Sequence, residues 1–162
     1  MATRPALLYD EDFYAWTRAQ AQALRRLAAT RPNVELDFDH LIEEVEDLGT
    51  SQRDAVRSQL RRIIEHCLKL EWSPAPAPRA GWYETIMDAR TTLEDKLAPA
   101  LRRDIRRNLP KLYAQARRNA AGSLRVHRET DAADALPAEC PYRLVDLLRH
   151  GWYPASRHDL TP

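Results

Sequence analysis

Glycine is scarce in this chain, with 4 in 162 residues, and no Gly-rich phosphate loop can be read from it. Cysteine is limited to Cys67 and Cys140. One falls inside a helical pattern and the other precedes a proline, so they make no disulfide framework, and no Cys-x-x-Cys is present. No Ser/His/Asp grouping has a recognisable catalytic spacing. No apolar run approaches the length of a membrane span, and no basic, apolar, small-residue leader opens the chain. These absences predict a soluble cytoplasmic protein with reduced thiols and no membrane contact. Lysine is nearly missing as well: Lys69, Lys96 and Lys111 are the only lysines among 25 basic residues. Arginine suits phosphate and carboxylate recognition, but alanine is also abundant, and the bias reads as genomic base composition. The net charge of +1 gives no whole-molecule attraction to a polyanion.

What is present favours helices. Ala, Leu, Arg and Glu dominate, and these side chains lose little freedom in a helix. The length predicts one domain, residues 1–162, with a folded core over 9–154 and flexible termini. The first helix is expected to start at Tyr9 or Asp10, with acids at its N-terminus, and to carry Phe13, Trp16, Gln20, Ala23, Leu24 and Leu27 at helical spacing before Pro32. A second stripe runs Leu41, Val45, Leu48, Gln52, Val56, Leu60, Ile63, Cys67, Leu70. It keeps its phase through Gly49, so the spacing predicts one helix from about 37 to 71 with Asp37 as its cap. A stop and a new cap at Gly49-Thr50-Ser51 is the competing reading.

Ser73 to Pro78 alternates proline with small residues and should be an extended connector. Gly81 then opens a third helix with Trp82, Ile86, Ala89, Leu93 and Leu97 on its apolar side. Pro99 and Pro110 each suit a first helical turn, which predicts a short helix over about 99–108 and a separate one from Pro110 to Gly122. Residues 130–141 read as loop, 144–148 as a last short helix, and 150–153 as a fold-back onto the body. Leu7 and Leu8 are too short a run to count as an element. The fold class is therefore all-α, an up-down helical bundle around one long helix with short C-terminal helices.

Several blocks together resemble a bacterial family known as domain of unknown function 29. They are Tyr9-Asp10-Glu11-Asp12-Phe13-Tyr14-Ala15-Trp16, Leu41 to Gly49 (LIEEVEDLG), His66-Cys67-Leu68-Lys69, the set Trp82, Thr85, Ile86, Arg90, and Cys140-Pro141-Tyr142. The resemblance spans about Tyr9 to Pro154. It implies a helical fold and carries no activity. The family's Glu-Thr pair after the late alanines is displaced here: Gly122-Ser123 follows Ala120-Ala121, and Glu129-Thr130 comes later.

Two polar residues fall on apolar faces. Stepping about 100° per residue, His66 lies near Ile63 and Leu70 on the long helix, and Arg90 lies between Ile86 and Leu93 on the third. A buried guanidinium stays charged and needs a carboxylate or several carbonyls. Arg90 is therefore expected to pair with Glu43, Glu44 or Glu46. Such a cluster of His66, Arg90, Glu43, Glu44 and Glu46 is either a structural salt bridge or a pocket for a small anionic ligand, the alternative in which the protein is an enzyme or ligand binder. No nucleophile stands beside His66. Asp37, His40, Glu43 and Glu44 share a helical spacing, but the dimetal Glu-x-x-His motif is missing. They read as a solvated acidic face, and neither metal nor cofactor is expected.

Charge is distributed unevenly. Residues 34–50 carry Glu35, Asp37, Asp39, Glu43, Glu44, Glu46 and Asp47 with no Lys or Arg. The stretch 98–130 carries Arg102, Arg103, Arg106, Arg107, Lys111, Arg117, Arg118, Arg125 and Arg128 against Asp104 and Glu129. Nucleic-acid binding through the basic stretch is one reading, although Tyr113 is its only aromatic. The leading expectation, with the activity itself unknown, is a small non-enzymatic helical module that binds a protein partner or a second copy of itself.

Overall fold

The computed structural model describes residues 5–161, with side chains from Leu7 onward. The expected flexible ends at residues 1–4 and 162 lie outside the described residues. Within them are seven helices and no strand: α1 (Pro5–Glu11), α2 (Phe13–Ala29), α3 (Phe38–Trp72), α4 (Arg79–Glu94), α5 (Pro99–Val126), α6 (Thr130–Ala135) and α7 (Leu144–Leu148). The fold is all-α, a helical bundle around the 35-residue α3. No helix among the described residues is long and apolar enough to cross a membrane. The chain forms two compact units: Met1–Val56 with Leu97–Asp104 (unit 1), and Arg57–Lys96 with Ile105–Pro162 (unit 2).

In unit 1 the chain does not start its first helix at Tyr9 or Asp10. It makes α1 over Leu7 and Leu8, then breaks at Asp12 and begins α2 at Phe13. Asp12 is the reason. Its Oδ1 accepts from Ala15 N at 3.0 Å, capping α2, and its Oδ2 accepts from Ala100 N at 2.7 Å, capping the first turn of α5. One carboxylate thus satisfies orphan donors of two helices. The buried face of α2 is Thr17 and Ala21, not the stripe through Ala23 and Leu27, which are exposed. The face is small because it meets Gly49: a Cβ placed there would stand 2.2 Å from Thr17 Oγ1. Gly49 is accordingly a packing glycine inside one continuous α3, and the helix neither stops nor recaps there.

The stripe on α3 changes character along its length. Val56, Leu60, Ile63, Cys67 and Leu70 are fully buried, whereas Leu41 and Leu48 are 40% and 53% exposed. The sequence period alone made these positions equivalent.

The two helices expected from Pro99 and Pro110 are a single one, α5, whose residues 99–104 belong to unit 1 and the rest to unit 2, with Pro110 in its interior. Pro110 is exposed, so the carbonyl its ring leaves unbonded can face water. Leu101, Ile105, Leu112, Tyr113, Ala116, Ala120 and Leu124 are buried in one phase on both sides of it, and that burial overrides the local break. Nor does α5 end at Gly122. It runs to Val126 and closes with Arg128 N to Arg125 O at 2.9 Å and Glu129 N to Leu124 O at 2.9 Å, the paired bonds of a Schellman cap. Arg128 takes the left-handed position, φ 64°, where glycine is usual. A Cβ on Gly122 would meet nothing within 4 Å. Both Gly122→Ala and Arg128→Gly should therefore stabilise the chain, by about 0.5–1 kcal/mol each, as a rise in the denaturation midpoint at unchanged slope.

Residues 130–141 are not all loop. Thr130–Ala135 forms α6, and Arg117 Nε and Nη2 donate to Leu136 O at 3.2 and 3.0 Å just after it. The residues beyond Pro154 are bonded to the C-terminus of α3. Four carbonyls there find donors: Lys69 O from Ser73 N, Leu70 O from Arg79 Nη1 at 2.9 Å, Glu71 O from Arg157 N at 2.9 Å, and Trp72 O from the His158 ring at 3.1 Å. The last four carbonyls of a helix have no partner within it, so the tail and the buried Arg79 close the long helix from outside.

Candidate functional site

Arg90 points inward as its helical position requires, at 2% exposure, but it takes no carboxylate partner. Its Nε donates to Leu147 O at 2.9 Å, a carbonyl in the last turn of α7, and its guanidinium lies 5.2 Å from the Tyr153 ring centre. Nη1 and Nη2 are buried with no hydrogen-bond partner. Burial pulls the guanidinium below its usual value. The expected ion pair is not made: Glu43 and Glu44 are exposed, and Glu46 binds Arg25 at 2.6 Å. A helical wheel gives the direction of a side chain but not the identity of what lies in that direction. Here α7 and the aromatic turn after it fill the place assigned to the acids.

His66 is half-buried, and its Nδ1 donates to Arg62 O one turn back at 2.8 Å. Burial lowers its proton affinity, so the ring is neutral at pH 7. It sits beside the part-buried Lys69–Glu65 pair, 2.7 Å apart on the same helix. The polar centre of unit 2 lies one turn further on, at Glu71. Its Oε2 accepts from Tyr142 OH at 2.7 Å and its Oε1 from Arg157 Nε at 3.2 Å. Burial, then the bond to Glu71, pushes the Tyr142 phenol well above its usual range. Cys67 is buried and its thiol is pushed up to about 12, chiefly by burial, so it stays protonated and unreactive at neutral pH. Burial also raises Cys140, whose Sγ donates to Tyr142 O at 3.4 Å.

The structure therefore brings Cys67, Arg90, Cys140 and Tyr142 into one unit, and the sequence blocks that contain them converge there. Neither Arg79 nor Glu71 was singled out in the sequence. Arg79 follows a proline at the start of a helix, a position that reads as surface. A cavity of about 380 Å³ is lined by Leu109, Pro110, Tyr113, Glu139, Cys140 and Tyr142, among others. A second, of about 530 Å³, lies between the proline connector and the end of α5. Neither is lined by His66 or Arg90.

On the acidic side, His40 Nδ1 and Asp37 Oδ2 are 2.5 Å apart, both solvent-exposed. Among the described residues no three His, Cys, Asp or Glu side chains could hold a metal ion. On the basic side, Arg107, Lys111, Arg118 and Arg125 stand within about 40° on one face of α5 and span about 27 Å. All four are exposed. Arg125 is paired with Asp134 at 2.6 Å. Arg102, Arg103, Arg106 and Arg128 are also exposed, whereas Arg117 is occupied by the Leu136 carbonyl.

The family model described as "Domain of unknown function DUF29" matches residues 8–153. The chain belongs to this family. The DUF29 match takes in the double cap at Asp12, all of α3 and the Glu71–Tyr142 bond, so the family region holds both the acidic stretch and the polar centre of unit 2. A crystal structure of an alpha-helical protein of unknown function from Rhodospirillum rubrum aligns with a TM-score of 0.78 at 24% identity, covering 89% of this chain and 90% of that one. That likeness supports the fold of this DUF29 chain alone. Nothing matches among curated proteins.

Proposed function

We propose that this chain is a non-enzymatic helical module that binds a protein partner through unit 1. One observation carries the reading. Of the ten large apolar side chains that stand exposed among the described residues, seven are in unit 1: Leu7, Tyr9, Leu27, Val34, Leu36, Leu41 and Leu48. Single exposed apolar residues are ordinary, but concentration in one region marks an interaction surface. Leu41 and Leu48 continue a stripe that is sealed from Val56 onward, so the first half of α3 has the chemistry of a packed face without the packing. Tyr9, Phe13 and Trp16 add a cluster of rings with centroids 4.9–5.6 Å apart, and rigid aromatics are favoured as interface anchors.

The seven acids of residues 34–50 are exposed in the same stretch. The partner is therefore a protein segment with an apolar face and a basic rim. The test is affinity capture from the native cell with wild-type chain and with Leu41→Asp/Leu48→Asp, both at water-exposed positions. The double variant should fold as the wild type does and lose the specific partner. Capture of the same partner at the same yield would end this reading. A second reading, a nucleic-acid backbone on α5, rests on the exposed face of Arg107, Lys111 and Arg118. Nuclease-sensitive capture that survives the leucine substitutions would favour it.

A further inference from the structure

Two exposed helix faces in this chain carry complementary patterns. At the start of α3, Asp37, Leu41, Glu44 and Leu48 follow at steps of four, three and four, within about 60° on one side. Asp37 shares that first turn, because its carbonyl accepts from Leu41 N at 3.1 Å. All four are exposed, and their order is acid, leucine, acid, leucine. On α5, Lys111, Ala114, Arg118 and Gly122 stand within about 80° of one another, and all are exposed. Their order is base, small, base, small. A Cβ on Gly122 would meet nothing within 4 Å, so the surface there is open. Each set spans about 16 Å of helix. Steps of three and four are the spacing at which one helix lays its side chains into the gaps of another.

We infer that the partner of the unit 1 surface is a second copy of this chain, with the Asp37–Leu48 face of α3 on one copy seated along the Lys111–Gly122 face of α5 on the other. The inference rests on the reading of unit 1 given above and names its partner. Laid in the same direction, the two faces match at every position. Asp37 meets Lys111, Leu41 meets Ala114, Glu44 meets Arg118 and Leu48 meets Gly122. Alanine and glycine leave the gaps that the leucines fill, and this buries two side chains that now stand 40% and 53% exposed. Like faces do not pair: two α3 faces set acid against acid, and two α5 faces set base against base. The contact therefore uses a different surface on each copy. A nucleic acid would satisfy the bases of α5 but leave the leucines of α3 in water, so it accounts for only half of the pattern.

The test is sedimentation equilibrium of the purified full chain, with circular dichroism to check that each variant is folded. The wild type should self-associate with a Kd of about 0.1 mM at about 20 mM NaCl, as befits a small patch. At about 0.5 M NaCl the association should weaken by about tenfold. Glu44→Arg and Arg118→Glu, each alone, should weaken it by about tenfold or more, because each sets like charges opposite one another. An equimolar mixture of these two variants should recover the wild-type affinity, since each reversed residue then faces the opposite charge on the other chain. Leu41→Asp/Leu48→Asp should abolish association. A wild type that stays monomeric at about 1 mM, or a mixture that associates no better than its components, would overturn the inference. A monomeric wild type that still captures a different protein through Leu41 and Leu48 would leave the unit 1 reading standing and sink this one alone. Association unchanged by Leu41→Asp/Leu48→Asp would also overturn it.

Discussion

Replacing Gly49 with alanine should destabilise the protein by about 2–3 kcal/mol, although alanine is favoured over glycine inside a helix by about 1 kcal/mol. The added Cβ would stand 2.2 Å from Thr17 Oγ1, 3.2 Å from Thr17 Cβ and 3.4 Å from Tyr14 Cδ2. Thr17 is fully buried and its hydroxyl donates to Tyr14 O at 2.9 Å. Turning the hydroxyl aside would break that bond in a buried site, and the two Cβ atoms would still be too close. Either α2 backs away from α3 or the threonine loses its partner, and both outcomes outweigh the gain in propensity.

Two controls separate this account from a general intolerance of the helix. Thr17→Ala removes the oxygen that clashes, so Thr17→Ala/Gly49→Ala should recover about 1–2 kcal/mol relative to the sum of the single changes. Gly122→Ala, where the new methyl meets open space, should go in the opposite direction. Denaturant titrations of the wild type and the four variants decide the matter. A Gly49→Ala protein as stable as the wild type would mean that the two helices are not packed this closely.

The long helix was legible because its apolar period holds over many turns and no local signal outweighs it. The stripe passes through Gly49 without marking it, yet the packing requires a glycine there. Its reason lies on α2, at a threonine 32 positions earlier, and no spacing rule connects the two. Pro110 and Gly122 misled in the other direction. Both are ordinary punctuation, yet buried residues in one phase from Leu101 to Leu124 carry α5 through them. Local preferences of one to three kcal/mol, about what a helix-breaking residue is worth, give way when a long apolar face is at stake.

For the candidate site, direction was legible and neighbours were not. The wheel placed Arg90 inside, but its partner is a carbonyl 57 residues away in a five-residue helix whose sequence gives no hint of that role. The same holds for the exposed leucines: Leu41 and Leu60 look alike in the pattern, and only the packing distinguishes a sealed position from an open one. Glu129 was noted for its displacement from the family's usual spacing. The displacement reflects a helix that continues past Gly122 and a left-handed turn at Arg128, a conformation that arginine does not announce.

Asp12→Ala should destabilise the protein by about 3 kcal/mol, because it removes one cap from each of two helices. The carboxylate is 5% exposed and its two oxygens serve different helices, Oδ1 the Ala15 N–H of α2 and Oδ2 the Ala100 N–H of α5. The negative charge also faces the positive ends of both helix dipoles. Asp12→Asn makes the argument quantitative. An asparagine keeps one acceptor oxygen but presents an amide donor in place of the second, so it can cap α2 or α5 but not both. It should fall between aspartate and alanine, about 1–2 kcal/mol below the wild type. If the role of Asp12 were an ordinary single N-cap, asparagine would serve nearly as well as aspartate, since the two are close to equal at that position. Stabilities in the order Asp, Asn, Ala with clear gaps between them would establish the double cap. Equal stability of the aspartate and asparagine proteins would show that the bond to Ala100 contributes nothing, and the joint between the start of α2 and the start of α5 would then need another source.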